Sequence, residues 1–256
     1  MALARNGDRY ADLKARITAS FNLHRGRYGY RRVTADLCRN GAAVDKKTVQ
    51  RLMQELGLKS TVRPKKYRSF KGEIGKTADN VMNRQFEAKR PNEKWVTDVT
   101  EFKVAGEKVY LSPVLDLFNR EIVAFTMDTR PSLKLVTSML ANALEKLPAA
   151  DTPLMHSDQG WHYRMPTYQT ALEQRGVMQS MSRKGNCYDN SVMENFFGLL
   201  KTEYYYLNEF TSVEQLRDGI AEYIDYYNND RIKSKLGWLS PVEYRTQHAM
   251  SKAASN

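Results

Sequence analysis

The sequence predicts an α/β protein, a mixed sheet flanked by helices and preceded by a small all-helical domain. Three observations lead there. Helix-period spacing of apolar residues fills the first sixty positions, then gives way from Lys94 to runs rich in β-branched and aromatic residues. Three such extended runs come first, after which helices alternate with shorter strands, the pattern of a mixed sheet covered by helices. Charge divides at the same place: residues 1–90 hold 22 Lys/Arg and 8 Asp/Glu, residues 91–256 hold 18 and 21. A basic front on a near-neutral body points to a polyanion-binding segment ahead of a separate core.

Composition narrows the class. A chain of 256 residues with 41% hydrophobic and 11% aromatic content is not wholly disordered and can bury a core. No apolar run approaches the ~18–20 residues of a bilayer crossing, so no membrane partner is expected. The opening MALARNGDRYADLK has no apolar stretch of the kind a secretory signal needs. Cys38 and Cys187 are the only cysteines, which excludes a disulfide scaffold and points to a reducing cytoplasm.

The basic third divides into residues 1–60, a helical unit, and 61–90, a linker. Residues 8–20 have helical spacing, broken at about Asn22–Gly29. A second helix spans Arg31–Arg39 and ends at Asn40-Gly41. The third is capped by Asp45 and places Val49, Leu52, Met53 and Leu56 at i, i+3, i+4 and i+7 before Gly57 stops it. Lys46, Lys47, Gln50 and Arg51 lie off that stripe. Two short helices joined by a glycine-containing turn, the second with a basic polar face, form a helix-turn-helix candidate. Lys47, Gln50 and Arg51 would reach base edges and other cations would meet phosphates, although the same face also suits a solvated amphipathic helix. From Lys59 to Lys71 there are six Lys/Arg and no acid, with Tyr67 and Phe70 interleaved. This stretch reads as a linker following a phosphate backbone, with Arg63, Lys65, Lys66 and Arg68 as contacts.

The core is expected over 91–228, followed by a C-terminal tail, 229–256. Residues 95–104 read as one strand, and 108–117 and 121–128 as two more, joined in a hairpin through Asn119-Arg120. A helix follows at about 132–147. Then come a strand ending Met155-His156-Ser157, a helix near 165–175 and a strand at 177–181. Helices at about 191–206 and 212–228 complete the unit, the latter with Thr211 and Glu214 in capping-box register. Ser240-Pro241 starts a last short helix.

Three carboxylates stand out. Asp98 falls in mid-strand on a face with Val96, Thr100 and Phe102, where an unpaired carboxylate needs a cation, a donor or a metal. An internal salt bridge would also answer that need. Asp158, in HSDQG, follows a strand and also suits a turn. Glu194 sits three residues after Ser191, a capping-box spacing that requires no chemistry. Between Asp98 and Asp158 lie 59 residues, between Asp158 and Glu194 lie 35, and Lys201 follows Glu194 by seven, two helical turns on one face. Clustered carboxylates repel unless cations bind, and oxygen-only ligands suit Mg²⁺ or Mn²⁺. Two ions about 3.5–4 Å apart serve in-line phosphoryl displacement.

From about Gly29 to Arg245 the chain resembles bacterial insertion-sequence transposases of the DDE type, similar in their core to retroviral integrases. The nearest likeness is to the integrase-like product of a second reading frame. The words that carry it are YGYRRV at Tyr28–Val33, KTVQRLMQELGL at Lys47–Leu58, KWVTDVTEF at Lys94–Phe102, HSDQG at His156–Gly160, GNCYDNSVMENFFGLLKTE at Gly185–Glu203 and YYNNDRIKSKLGWLSPVEY at Tyr226–Tyr244. The resemblance implies a ribonuclease H-like fold. It makes Asp98, Asp158 and Glu194 the catalytic metal-binding triad for two Mg²⁺ ions, Mn²⁺ substituting, with Lys201 on element-end DNA. It implies cleavage and 3′-OH strand transfer on terminal repeats and target DNA. It also implies partnership or fusion with the upstream-frame product and a homo-oligomer on DNA in the bacterial cytoplasm, at the nucleoid. Retroviral integrases carry a zinc-binding His/His/Cys/Cys domain; His24 and Cys38 alone do not supply one, so no zinc is expected. A nuclease of the same fold without joining, and a DNA-binding regulator with a vestigial triad, are the alternatives.

Other polar residues are set aside. Asp116 is expected to cap the hairpin, His156 to position or pack, Tyr204, Tyr205 and Tyr206 to pack, and Cys187 to have no nucleophilic role. Arg231, Lys233 and Lys235 are expected near DNA.

Overall fold

The computed structural model describes residues 8–62, 78–83, 85–183 and 190–254. The chain divides into two units: residues up to Pro64 together with Ile232–Trp238, and Lys65–Arg231 together with Leu239 onward.

The first unit has three helices, α1 (Ala11–Leu23), α2 (Tyr30–Arg39) and α3 (Lys46–Glu55). Asp45 starts α3 by accepting the Lys47 and Thr48 N–H groups at 2.7 and 3.2 Å. After α2, Gly41 adopts φ +79° and lets the Ala42 N–H reach the Leu37 carbonyl at 2.9 Å. Ile17, Val33, Leu37, Val49, Leu52 and Met53 are buried. Ile232 and Leu236 are buried as well. The Ile232 N–H donates to the Tyr28 hydroxyl at 3.0 Å, and Arg39 donates to the Trp238 carbonyl at 2.8 Å. Residues expected in a separate tail thus contribute to the helical unit, because the chain returns to it after the core.

The second unit holds β1 (Lys94–Thr97), β2 (Thr100–Val104), β3 (Glu107–Asp116), β4 (Ile122–Asp128), α4 (Leu133–Glu145), β5 (Leu154–Ser157), α5 (Pro166–Gln174), β6 (Met178–Met181), α6 (Ser191–Glu203), α7 (Val213–Asn229) and α8 (Pro241–Ala253). The single strand expected at 95–104 is broken at Asp98-Val99. One antiparallel register against β3 nevertheless runs through both pieces, Thr97 opposite Val114 and Thr100 opposite Leu111. That puts Asp98 across from Pro113, which has no N–H to give the ladder and whose carbonyl takes the Thr97 hydroxyl at 2.8 Å. β4 lies along the other edge of β3, while β5 runs parallel to β1 and β6 parallel to β5.

Alternation sends apolar residues to both faces. Trp95, Val114, Ala124 and Met155 pack with Val136, Met139 and Leu140 of α4 and Leu172 of α5. Val96, Leu111 and Leu115 pack with Met193, Phe196, Phe197 and Leu200 of α6 and Leu216, Ile220 and Tyr223 of α7. Tyr204 is buried there, its hydroxyl only 1.5 Å from where a Cβ on Gly219 would stand, so α7 approaches at a glycine. Tyr205 is part-buried, its hydroxyl bridging the Lys103 N–H and carbonyl, whereas Tyr206 is exposed.

Several boundaries differ from expectation. Met82, placed in the linker, is buried in the second unit and donates its N–H to Ser180 Oγ at 3.1 Å. The cap of α7 is Ser212, which accepts the Gln215 N–H at 3.1 Å, one residue past Thr211. The last helix runs thirteen residues from a Ser240–Glu243 capping box. It is fastened to the β3–β4 turn by Asn119 on the Pro241 carbonyl and Arg245 on Glu121, 2.9 and 2.8 Å. Asp116 accepts the Phe118 N–H in that turn, as a hairpin cap should. Among the described residues no helix is long and apolar enough to cross a membrane.

Arg231 is not at a DNA surface. It is 2% exposed and forks onto Glu203, Nε to Oε2 at 2.8 Å and Nη2 to Oε1 at 2.6 Å, with the Tyr223 hydroxyl donating to the same carboxylate. Removing one partner of such a pair strands a charge. Arg231→Met should cost about 3–5 kcal/mol in a denaturant titration, where a DNA contact would leave stability unchanged.

Candidate active site

Asp98 follows β1, Asp158 follows β5, and Glu194 lies on the first turn of α6. Because β1 and β5 are adjacent and parallel, with Val96 beside His156, both strands deliver their aspartates to the same end of the sheet. Each aspartate is fixed by a backbone donor next to it. Asp98 Oδ1 accepts the Val99 N–H at 2.7 Å and Asp158 Oδ1 accepts the Gly160 N–H at 2.8 Å. Gly160 has to be glycine for this: a Cβ there would stand 2.9 Å from Asp158 Oδ1 and 3.3 Å from the Tyr163 ring.

The electrostatics tie the carboxylates together. Burial first, and then the charge of Asp158, push the Asp98 carboxyl well above the usual range; Glu194 adds to the rise, while the Val99 N–H and Lys201 oppose it. Burial also raises Asp158, against the Gly160 N–H and the charges of His162 and Arg164. Burial raises Glu194. Among the described residues no three His, Cys, Asp or Glu side chains are gathered closely enough to hold one ion as they stand. Asp158 acts on the Asp98 carboxyl more strongly than Glu194 does.

The capping-box reading of Glu194 does not hold. The helix is preceded by Asn190, so Ser191 is its first residue and cannot cap it, and Glu194 is left for other work. Lys201, two turns on, donates to Thr100 Oγ1 at 2.8 Å and lies 5.2 Å from the Phe102 ring centre. Burial lowers its pKa, while Glu101 and Asp98 resist that shift. His156 is fully buried with Nδ1 2.9 Å from Ser180 Oγ, a packing residue behind the site.

On α3, Lys46, Lys47 and Gln50 are exposed on the face expected to meet DNA. Arg51 is exposed too, but it pairs with Glu55 and lies over the Tyr10 ring at 4.9 Å. Glu55 in turn bonds Lys14 at 3.0 Å, so Arg51 belongs to an exposed network reaching α1. Lys233 is partly buried and Lys235 exposed. Arg63, Lys65, Lys66, Arg68 and Cys187 lie outside the described residues.

Sequence reasoning overlooked Asn190 and Tyr163. Tyr163 is buried, and the charges of Asp158 and Asp98 add to burial in raising its pKa, which marks its position behind the pair. The only signal for it was its place five residues after Asp158.

Comparison with known proteins agrees with this geometry. Residues 88–187 and 194–248 each match an integrase core domain family, and residues 8–66 match an HTH-like domain. The chain is 54% identical over 245 residues to InsK of insertion sequence element IS150 from Escherichia coli K12, described as a transposase, covering 96% of this chain and 87% of that one. It is 36% identical to the transposase for insertion sequence element IS904 of Lactococcus lactis, over 91% and 92% of the two chains. Among solved structures, a chain of the simian T-cell lymphotropic virus intasome in complex with PP2A regulatory subunit B56 gamma aligns over 90% of this chain and 74% of its own, with TM-score 0.55 and 16% identity, a likeness of fold. The chain belongs to the DDE-type, integrase-core transposases of bacterial insertion sequences, with a ribonuclease H-like catalytic fold. It is a polynucleotidyl transferase that binds DNA.

The raised carboxyls set a pH dependence. In the folded, metal-free protein they bind protons more tightly than in the unfolded chain. Stability therefore falls as pH rises from the ordinary aspartate value of 3.8 through the raised folded values. Asp98→Asn should flatten that fall. At neutral pH it should melt above wild type, by about 2–4 °C for each kcal/mol of repulsion removed, read by calorimetry in chelator.

Proposed function

We propose that Asp98, Asp158 and Glu194 bind the divalent cations of the transferase, two Mg²⁺ with Mn²⁺ as substitute, and that Lys201 meets element-end DNA beside them. The observation that carries this reading is the situation of Asp98, whose charged form is disfavoured by burial, by Asp158 and by Glu194 together. An all-carboxylate set under mutual repulsion fits hard oxygen-seeking cations and has nothing to offer softer metals. The backbone bonds at Asp98 and Asp158 hold the carboxylates in place through one oxygen and leave the other for a ligand. Cations bound there would polarise the scissile phosphate and acidify the attacking hydroxyl.

The chain's own groups supply the rest. Lys201, on the same face of α6 as Glu194, offers a cation to a phosphate when it leaves Thr100. Water first opens a phosphodiester at the element end and frees a 3′-OH. That 3′-OH then attacks a second phosphodiester, a new P–O bond replacing the old one, so no covalent protein–DNA intermediate forms. Joining one end to the other gives the bridged intermediate of a copy-out, paste-in pathway. Lys47, Gln50 and Arg51 of α3 read the terminal repeat and Lys46 meets a phosphate, while Arg63, Lys65, Lys66 and Arg68 follow its backbone. The active form is an oligomer on paired ends in the cytoplasm, supplied in part by fusion with the upstream-frame product, and zinc has no part in it.

The test uses labelled duplexes carrying the flanking element ends, with Mg²⁺ or Mn²⁺, and the chain alone or as the frame fusion. Nicked and joined products are expected from wild type, and ~10²–10³-fold less from Glu194→Gln. Nicks without joining would favour a nuclease; end binding without products from either protein would leave a DNA-binding remnant. In a separate salt titration, replacing Lys46 with Ala should reduce the slope of log affinity against log salt by about 1.

A further inference from the structure

Asn190 is the residue before α6, a position where Asn ordinarily turns its side-chain oxygen onto an N–H of its own helix. It makes no such cap. Its Nδ2 instead donates 3.2 Å to the carbonyl of Thr97, 93 residues earlier and immediately before Asp98. The residue is 5% exposed, and its Oδ1 is buried without a hydrogen-bond partner among the described residues. A side chain that leaves its own helix uncapped, and an oxygen unsatisfied, is held for the sake of the strand it reaches.

What that bond does follows from the helix. Glu194 lies one turn beyond Asn190 on the same face. At the other end Lys201 is bonded to Thr100, two residues past Asp98. The helix is therefore fastened to the kinked strand at two points that straddle Asp98, and Glu194 lies between them. Packing of Met193, Phe196, Phe197 and Leu200 sets how deep α6 sits, but apolar contact is non-directional and does not fix its slide along the strand. Directional bonds do.

We infer that Asn190 is a positioning residue of the transferase: its bond to the Thr97 carbonyl sets where Glu194 stands relative to Asp98, and hence how well cations are held. This rests on the proposed role of Glu194 as a ligand. Asn190→Ser separates the roles, because Ser is a good helix cap that is too short to reach the Thr97 carbonyl.

The full chain is titrated with Mn²⁺ and followed by electron paramagnetic resonance without DNA. Its melting point and the Mg²⁺ dependence of end cleavage are measured alongside. For Asn190→Ser we expect a melting point at or above wild type, Mn²⁺ binding weaker by about 10–100-fold and a matching rise in half-saturating Mg²⁺. Cleavage recovers at high metal. Glu194→Gln should also weaken binding, with no recovery. Wild-type metal binding in Asn190→Ser, with binding lost in Glu194→Gln, overturns the inference and leaves the triad standing. Wild-type binding in both overturns the ligand role of Glu194 and this inference with it. Should Ser disturb folding, Asn190→Ala carries the same metal-binding expectation, compared at equal folded fraction.

Discussion

Negative charge crowded together at the ends of two neighbouring parallel strands is the constraint around which the second unit is organised. Asp98 and Asp158 cannot spread apart, because β1 and β5 are hydrogen-bonded neighbours and each carboxylate is tied to a backbone N–H beside it. Lys201 offsets the charge of Asp98 only in part, its own bond being to a threonine hydroxyl. The free protein thus carries a local instability that the rest of the unit must outweigh. It does so with two apolar layers, one on each face of the sheet, while the buried Glu203–Arg231 charges compensate only each other. Two charge clusters lie at the two ends of α6, the fully buried one satisfied and the half-buried one not. That contrast separates structure from chemistry better than burial does.

The kink between β1 and β2 serves the same arrangement. A strand continuing straight would bury the Asp98 side chain under α6 in full pairing with β3. Pro113 interrupts the ladder opposite Asp98, the Thr97 hydroxyl takes up the proline carbonyl, and the carboxylate is left half-buried at the edge of the break. Asn190 then uses the Thr97 carbonyl. A single proline fifteen residues away in sequence shapes both the strand and the anchor of the helix that faces it.

Much of this was legible in the residues, and the parts that were not share a cause. Period and capping signals are local, so α3 with Asp45 at its head, α4, α5 and the hairpin turn at Asp116 were readable within a residue or two. The spacing of Asp98, Asp158 and Glu194, with the words around them, carried the fold and the chemistry together. What escaped notice depends on residues distant in sequence. The break at Asp98 needs Pro113. The side chain of Asn190 answers to Thr97, and Ser191 therefore only looks like a cap. Arg231 was read as a surface cation beside Lys233 and Lys235, yet Glu203 draws it into the core. Arg51 was placed on the polar face correctly, but the acid that engages it and the Tyr10 ring beneath it could not be inferred from helix period alone.

The return of Ile232–Trp238 to the first unit has a consequence for synthesis on the ribosome. The three helices lack two of their buried residues, Ile232 and Leu236, until the integrase core as far as α7 has been translated. At roughly 5–20 residues per second that delay lasts on the order of ten to thirty seconds. Over that interval the nascent basic segment lacks the finishing segment of its own packing. The helical unit is completed only by a chain that already carries its catalytic residues, so a prematurely terminated product would emerge with this unit unfinished.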